Sequence, residues 1–316
     1  MERLLDPKND WAFKQIFGEE KNKGILISFL NDVLDEHVLL GNKITNVTFL
    51  KVELDSEIVM LRQSIVDVLC KTQDGTHFIL EMQRASDSGF IQRAVEYASR
   101  VYLSQRPKEK KKKNDKGGYK KMRPVIFLAI MEETLFPHKK AYLSHHQIRD
   151  IITCEHDMKQ MSFSFLELSK FHKEFEELET NVEKWAYFFK HAEDIEPERL
   201  KEILKEKSAV GDAYKALERS GYTAEQLLEY DRYRLKEEEI AARLSDAEER
   251  GAVRERKKAE KEKKQLVDKA KAEKEQLIEK AKAEKIESAR KMLSKGLSIE
   301  DISDFTDLPL EEVKKL

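Results

Sequence analysis

Asp67, Glu81 and Gln83 are the residues of this chain whose types and spacing could do chemistry. Asp67 interrupts the apolar run Ser64-Ile-Val-Asp-Val-Leu-Cys70, and Glu81 and Gln83 interrupt Thr76-His-Phe-Ile-Leu-Glu-Met-Gln83. Acids and amides inside such runs are costly unless they are paired or bind a cation. Hard oxygen ligands like these two carboxylates suit Mg²⁺ or Mn²⁺, with waters and a phosphate completing the shell. A cation held there lowers the pKa of bound water and stabilises charge developing on a phosphate. The plainer reading is that the acids cap strand ends or form structural ion pairs, since such acids are also perturbed.

The elements that must position these residues can be read from the same stretch. Both runs are rich in β-branched and aromatic residues and meet at Gln73-Asp74-Gly75, the pattern of a β-hairpin. Strand side chains alternate faces, so Glu81 and Gln83 share one face and Met82 takes the other. A two-residue Asp74-Gly75 turn would set Asp67 against Met82, with the acids on opposite faces. A three-residue loop sets Asp67 against Glu81, both on one face, and such loops end in a positive-φ residue, which suits Gly75. We expect the three-residue loop.

Other candidates flank the hairpin. Asp10 and Lys14 are four apart on an expected helix; they form either a surface pair or a metal-proximal acid and a phosphate contact. Arg93, Tyr97 and Arg100 recur at helical spacing. An exposed amphipathic face accounts for them, but Arg and Tyr also suit phosphate and base contacts, and Arg93 and Tyr97 are expected to face the site.

At these residues the chain resembles the PD-(D/E)XK nuclease superfamily, and within it the bacterial branch of recombination-promoting nucleases or putative transposases. Asp6-Pro-Lys-Asn-Asp-Trp-Ala-Phe-Lys-Gln-Ile-Phe-Gly18 resembles that branch's first helix, and Gln92-Arg93-Ala-Val-Glu-Tyr97-Ala-Ser-Arg100-Val-Tyr102 resembles the helix after its catalytic strands. The resemblance implies a restriction-endonuclease-like α/β fold, a mixed sheet flanked by helices. It implies Asp67 and Glu81 as metal ligands, with Mg²⁺, or else Mn²⁺ or Ca²⁺, as the ion. It places Gln83 where the superfamily usually has a Lys that positions the attacking water. Gln can hydrogen-bond water or phosphate but carries no charge, and this branch is similar in having Gln there.

Composition bounds the rest. The chain has 316 residues, 38% of them charged, yet a formal net charge of −2. A near-neutral balance excludes a wholly basic nucleic-acid coat, so DNA binding has to be local. One local source is the run from Arg106 to Arg123, with ten basic residues and two acids. It reads as a solvated loop or as a cover over the DNA backbone. Cys70 and Cys154 suggest no disulfide or zinc framework, and a reducing, bacterial cytoplasm is the simpler expectation. No signal-peptide pattern or membrane-spanning apolar run is evident, and a soluble chain without membrane contact is expected.

Residues 10–40 read as helical, with Ile16, Phe17, Ile25, Leu26, Phe29, Leu30, Val33 and Leu34 as the apolar face. Residues 44–54 and 57–62 read as strands, 86–103 as a helix, and Pro124 to Met131 as a strand buried on both faces. Strands are also expected at Ile151–Cys154 and Ser162–Leu168, then helices to about Tyr233. The eight histidines, His145, His146 and His156 among them, show no ligand spacing and read as surface or core residues.

The C-terminal third differs. From Lys257 to Ala289 the sequence repeats every eleven residues, with Ala259, Ala270 and Ala281 in register and Leu266 aligned with Leu277. That period is close to the straight-helix repeat and gives a long, charge-laced helix, acting as a solvated spacer or pairing as a weak homodimer. Beyond it, Gly296, Ser298 with Asp301, and Thr306-Asp307 punctuate two short helices, a helix-turn-helix-like pair whose second member carries Glu311-Glu312. The expected organisation is a nuclease-like domain at 1–230 with the basic loop at 106–123, the long helix at 231–289 and the tail at 290–316.

Two functions follow. The resemblance implies a Mg²⁺-dependent DNA endonuclease of low sequence specificity, linked to recombination, mobile elements or phage defence. The alternative is a catalytically weak or inert DNA-binding or self-associating protein of the same fold.

Overall fold

The computed structural model describes residues 4–34, 38–50, 66–85, 87–106 and 119–316. Six strands form one sheet: β1 (Val47–Phe49), β2 (Val68–Thr72), β3 (His77–Gln83), β4 (Val125–Met131), β5 (Leu143–Gln147) and β6 (Met161–Glu167). Their order is β1-β2-β3-β4-β6-β5. The centre, β3-β4-β6, is parallel, and both flanks are antiparallel. β4, Val-Ile-Phe-Leu-Ala-Ile-Met, is buried at every position. A strand that runs parallel to both neighbours and is covered on both faces tolerates no polar residue.

Helices cover both faces. On one side lie α1 (Asp10–Phe17) and α2 (Lys23–Val33), with α4 (Asn181–His191), α5 (Pro197–Lys205) and α6 (Ala209–Ala216). Their apolar residues join Phe78, Leu80 and Met82 of β3 in the main core. The expected face from Ile16 to Leu34 is buried throughout, carried by α1, α2 and the residue that caps α2. Gly18 follows the first helix, and a Cβ there would come 2.8 Å from the Lys14 carbonyl oxygen. α3 (Phe90–Ser104) covers the other face and buries Phe90, Ala94, Ala98 and Val101 against Ile79, Phe127 and Ala129.

The hairpin has the register with the three-residue loop. Val68 pairs with Leu80 and Lys71 with His77, so continuing the ladder by one step sets Asp67 opposite Glu81. Gly75 adopts φ +88°, and a Cβ there would meet the Arg123 side chain at 3.1 Å. Only glycine takes that conformation readily.

One expected strand is a turn. Ile151–Thr153 lies in the connection between β5 and β6, where the Asp150 carboxylate accepts the backbone N–H of Ile152 (2.8 Å) and of Thr153 (2.7 Å). Such a side-chain cap offers the backbone an alternative to the ladder, and it outweighs the β-branched composition. The edge strand β5 lies just upstream and carries His145 and His146. Of the first expected strand, 44–54, the described residues form β1, while 51–54, the expected strand at 57–62 and most of the basic run lie outside the described residues.

Two compact units divide the chain, 1–239 and 240–316. The helix α7 (Ala224–Ser294) belongs to both. Within the second unit, α8 (Ile299–Thr306) and α9 (Leu310–Val313) close a small core of Ala289, Ile302, Leu308 and Val313. Ser298 caps α8 by accepting the Asp301 N–H, and Asp307 turns the chain with φ 52°.

Candidate active site

The site lies at the carboxyl end of β3, where open α/β sheets commonly place ligands. Asp67, the residue before β2, and Glu81 of β3 face each other across the hairpin, α1 approaches from one helical layer and α3 from the other. Asp67 is held at two points. Its Oδ2 accepts the Met82 backbone N–H at 2.9 Å, and its Oδ1 lies 3.2 Å from Lys14 Nζ.

Glu81 is the unusual member. Its carboxyl lies against the Asp67 carboxylate, and its Oε1 is sealed from water with no hydrogen-bond donor on it. Among the described residues it is the one buried carboxylate oxygen left in this state. Glu167 provides the contrast. It is fully buried, but one oxygen accepts the N–H groups of Leu135 (2.7 Å) and Phe136 (2.9 Å), and the other pairs with Lys170 at 2.7 Å. Both Glu167 oxygens meet donors, whereas none reaches Glu81 Oε1. An unmet buried acceptor carries a desolvation penalty of about 1–3 kcal/mol, more when charged. Burial, and then the adjacent Asp67 carboxylate, holds the Glu81 carboxyl well above the usual range, while Arg93 and Lys14 pull the other way.

α1 supplies the next layer. Asn9 caps it by accepting the N–H groups of Trp11 (3.0 Å) and Ala12 (3.3 Å). The helix buries Trp11, Ala12, Phe13, Ile16 and Phe17, which leaves Asp10 and Lys14 on its remaining stripe. Asp10 is held above the ordinary aspartate value by burial and then by Asp67. For Lys14 burial opposes the charge, but Asp67 and Asp10 prevail and raise its pKa. Asp10, Lys14, Asp67 and Glu81 thus form one electrostatic group.

Gln83 faces α3. Its Oε1 accepts Arg93 Nη2 at 2.6 Å, and its Nε2 donates to the Ala85 carbonyl at 2.7 Å. Arg93 also pairs with Asp87 at 2.7 Å and lies over the Phe90 ring, 5.0 Å from its centroid. Tyr97, one turn further on, is half-buried against the smaller core. Arg100 turns to Glu96 on its own helix.

A second cluster lies beside this one, without a signature of its own in the sequence. Arg84, the residue after Gln83, pairs with Asp6 (3.2 Å), Glu132 (3.1 Å) and Glu237 (2.8 Å). Glu237, on the first part of α7, also accepts the Asp10 backbone N–H at 3.1 Å and Asn9 Nδ2 at 3.3 Å. A carboxylate at a helix N-terminus is well placed for the dipole. The only local signal was an Arg next to the candidate site.

The donor set fits a hard divalent cation: paired carboxylates across the hairpin, one buried oxygen without a hydrogen-bond donor and a third acid in electrostatic reach. No three His, Cys, Asp or Glu side chains gather at ligand spacing among the described residues. The protein would therefore supply two carboxylates and leave the rest of the shell to water or phosphate. His145 and His146 are engaged elsewhere, His145 with Ser164 (2.8 Å) and His146 with Ser144 and Lys139 (3.2 Å each).

A family model described as PD-(D/E)XK nuclease family transposase matches residues 7–281. No curated protein and no solved structure matches the chain. No helix among the described residues is long and apolar enough to cross a membrane.

Proposed function

The chain belongs to the PD-(D/E)XK nuclease family transposases, and from that premise we propose that it is a metal-dependent endonuclease that hydrolyses DNA phosphodiester bonds with little sequence preference. The observation that carries the reading is the Glu81 Oε1, buried and unpartnered beside Asp67. A buried oxygen in that state suits a cation ligand, since pairing with a cation offsets the cost of its burial. Asp67 and Glu81 would hold Mg²⁺, with Mn²⁺ or Ca²⁺ as substitutes, and the bound ion supplies an activated water and charge stabilisation at the phosphate.

The chain's own groups do the rest. Met82 N–H fixes the Asp67 carboxylate, so its rotamer is set before any ligand arrives. Arg93 orients Gln83 and brings to that position the charge that an amide lacks. Asp10 adds negative potential toward the cation, and Tyr97 supports the α3 wall. The Lys-rich run 106–123 would supply sequence-independent, salt-sensitive affinity for the DNA backbone. On α7, Leu266, Val267, Leu277 and Ile278 are exposed at eleven-residue spacing, which supports pairing with a second copy. Both cysteines are free, in keeping with a reducing cytoplasm.

One observation favours the alternative of a weak or inert DNA-binding relative: both ends of the Gln83 amide are already engaged within the protein. Plasmid nicking with Mg²⁺, Mn²⁺, Ca²⁺ or EDTA, beside Asp67→Ala and Glu81→Ala, decides between the two. Ion-dependent cleavage lost in both variants supports the nuclease. Equal inactivity of wild type and variants across all ions moves the binding role ahead.

A further inference from the structure

We infer that Lys14 is an exchangeable counter-ion of this site: its ammonium sits on Asp67 while no metal is bound, and metal entry displaces it toward the scissile phosphate. The inference rests on the proposed metal-binding role of Asp67 and Glu81.

The geometry of Asp67 carries it. One carboxylate oxygen, Oδ2, is committed to the Met82 N–H, and the other, Oδ1, is the oxygen that the ammonium contacts at 3.2 Å. A cation ligated through Oδ1 and the unpartnered oxygen of Glu81 would compete for that same lone-pair space. Two positive charges cannot share it without strong repulsion. The ammonium therefore has to move when a metal enters.

Lys14 is built to move. Its side chain is 27% exposed, against 10% for Asp67, and a lysine carries its charge on a flexible four-carbon stem. The helix beneath stays put, because Phe13 and Phe17 on its other face are fully buried and lie 5.0 Å apart, ring to ring. Exchange is then a change of rotamer, not of fold. Arg93 is placed differently, being held between Gln83 and Asp87 and not on a ligand oxygen. With Gln83 uncharged, the displaced Lys14 ammonium joins Arg93 as a positive charge available to the phosphate.

Calorimetric titration of the full-length protein with Ca²⁺ tests this, with Lys14→Met, Lys14→Arg and Asp67→Ala alongside. Removing the competing charge is expected to tighten Ca²⁺ binding by about tenfold in Lys14→Met. The same variant should nick plasmid with Mg²⁺ about a hundredfold more slowly. Lys14→Arg, which keeps the charge, should bind Ca²⁺ much as wild type does. Circular dichroism confirms that each variant is folded; should Lys14→Met unfold, Lys14→Gln carries the same comparison. Ca²⁺ binding that needs Asp67 but is no tighter without Lys14 overturns the counter-ion role alone. Wild type and Asp67→Ala that both fail to bind Ca²⁺ overturn the metal site and, with it, this inference.

Discussion

Arg93 and Gln83 are joined by a 2.6 Å hydrogen bond from the guanidinium to the amide oxygen, across the gap between α3 and the end of β3. The bond places a fixed positive charge beside Glu81, where it works against the burial that favours the neutral acid. A planar guanidinium can span Gln83 and Asp87 at once, which an ammonium cannot. Arg93→Ala is therefore expected to slow Mg²⁺-dependent nicking by about a hundredfold, and Arg93→Lys to restore only part of it. Undiminished nicking by Arg93→Ala would remove Arg93 from the site.

Glu81 should make the metal-free protein less stable than it could be. Its folded pKa lies above the ordinary 4.5, so the folded state binds its proton more tightly than the unfolded chain does. Stability from this group is fully present below the ordinary value and is lost as pH rises toward the folded one. In EDTA at neutral pH, Glu81→Gln should melt about 2 °C above wild type, with the gap closing below pH 4.5. Ca²⁺ should then stabilise wild type and leave the variant unchanged. A melting temperature for Glu81→Gln below wild type in EDTA would show that the carboxyl has a structural partner.

Arg84 holds three carboxylates, Asp6, Glu132 and Glu237, at the edge of the site. Arg84→Ala leaves like charges facing one another and should lower stability by about 1–2 kcal/mol, a value kept modest because these side chains are partly wet. Adding Glu237→Gln should recover part of that loss. A double-mutant cycle on urea midpoints reads the coupling, and strict additivity would mean that the cluster stores no interaction.

The two thiols should differ sharply in reactivity. Cys70 is buried in β2, and burial pushes its thiol up to about 12; Cys154 is exposed in a turn. Only thiolates react readily, so a disulfide reagent should titrate one thiol in the native protein and both in denaturant. Rapid reaction of both thiols in the native state would contradict the packing of β2.

Much of this arrangement is legible in the residues alone. Alternation along 64–83, with a glycine where φ must be positive, sets the hairpin register and puts Asp67 across from Glu81. An uninterrupted apolar β4 announces a strand covered on both faces. These features are local or periodic, and local sterics decide them. The turn at Ile151–Thr153 shows the limit, because there one Asp150 side chain outweighs four residues of strand-like composition.

Partner choice was settled only by the tertiary structure. Nothing near Lys14 in sequence beyond Asp10 announces a partner, and only the fold brings its ammonium to Asp67 at 3.2 Å. Arg84 meets Glu237 across 153 residues of chain, and Gln83 meets Arg93 from another layer. In a chain with 61 acidic and 59 basic residues, charge type cannot select among so many complementary pairs. Strand order and helix packing select them, because an ion pair or ligand set forms only where the backbone brings its members within a few ångströms.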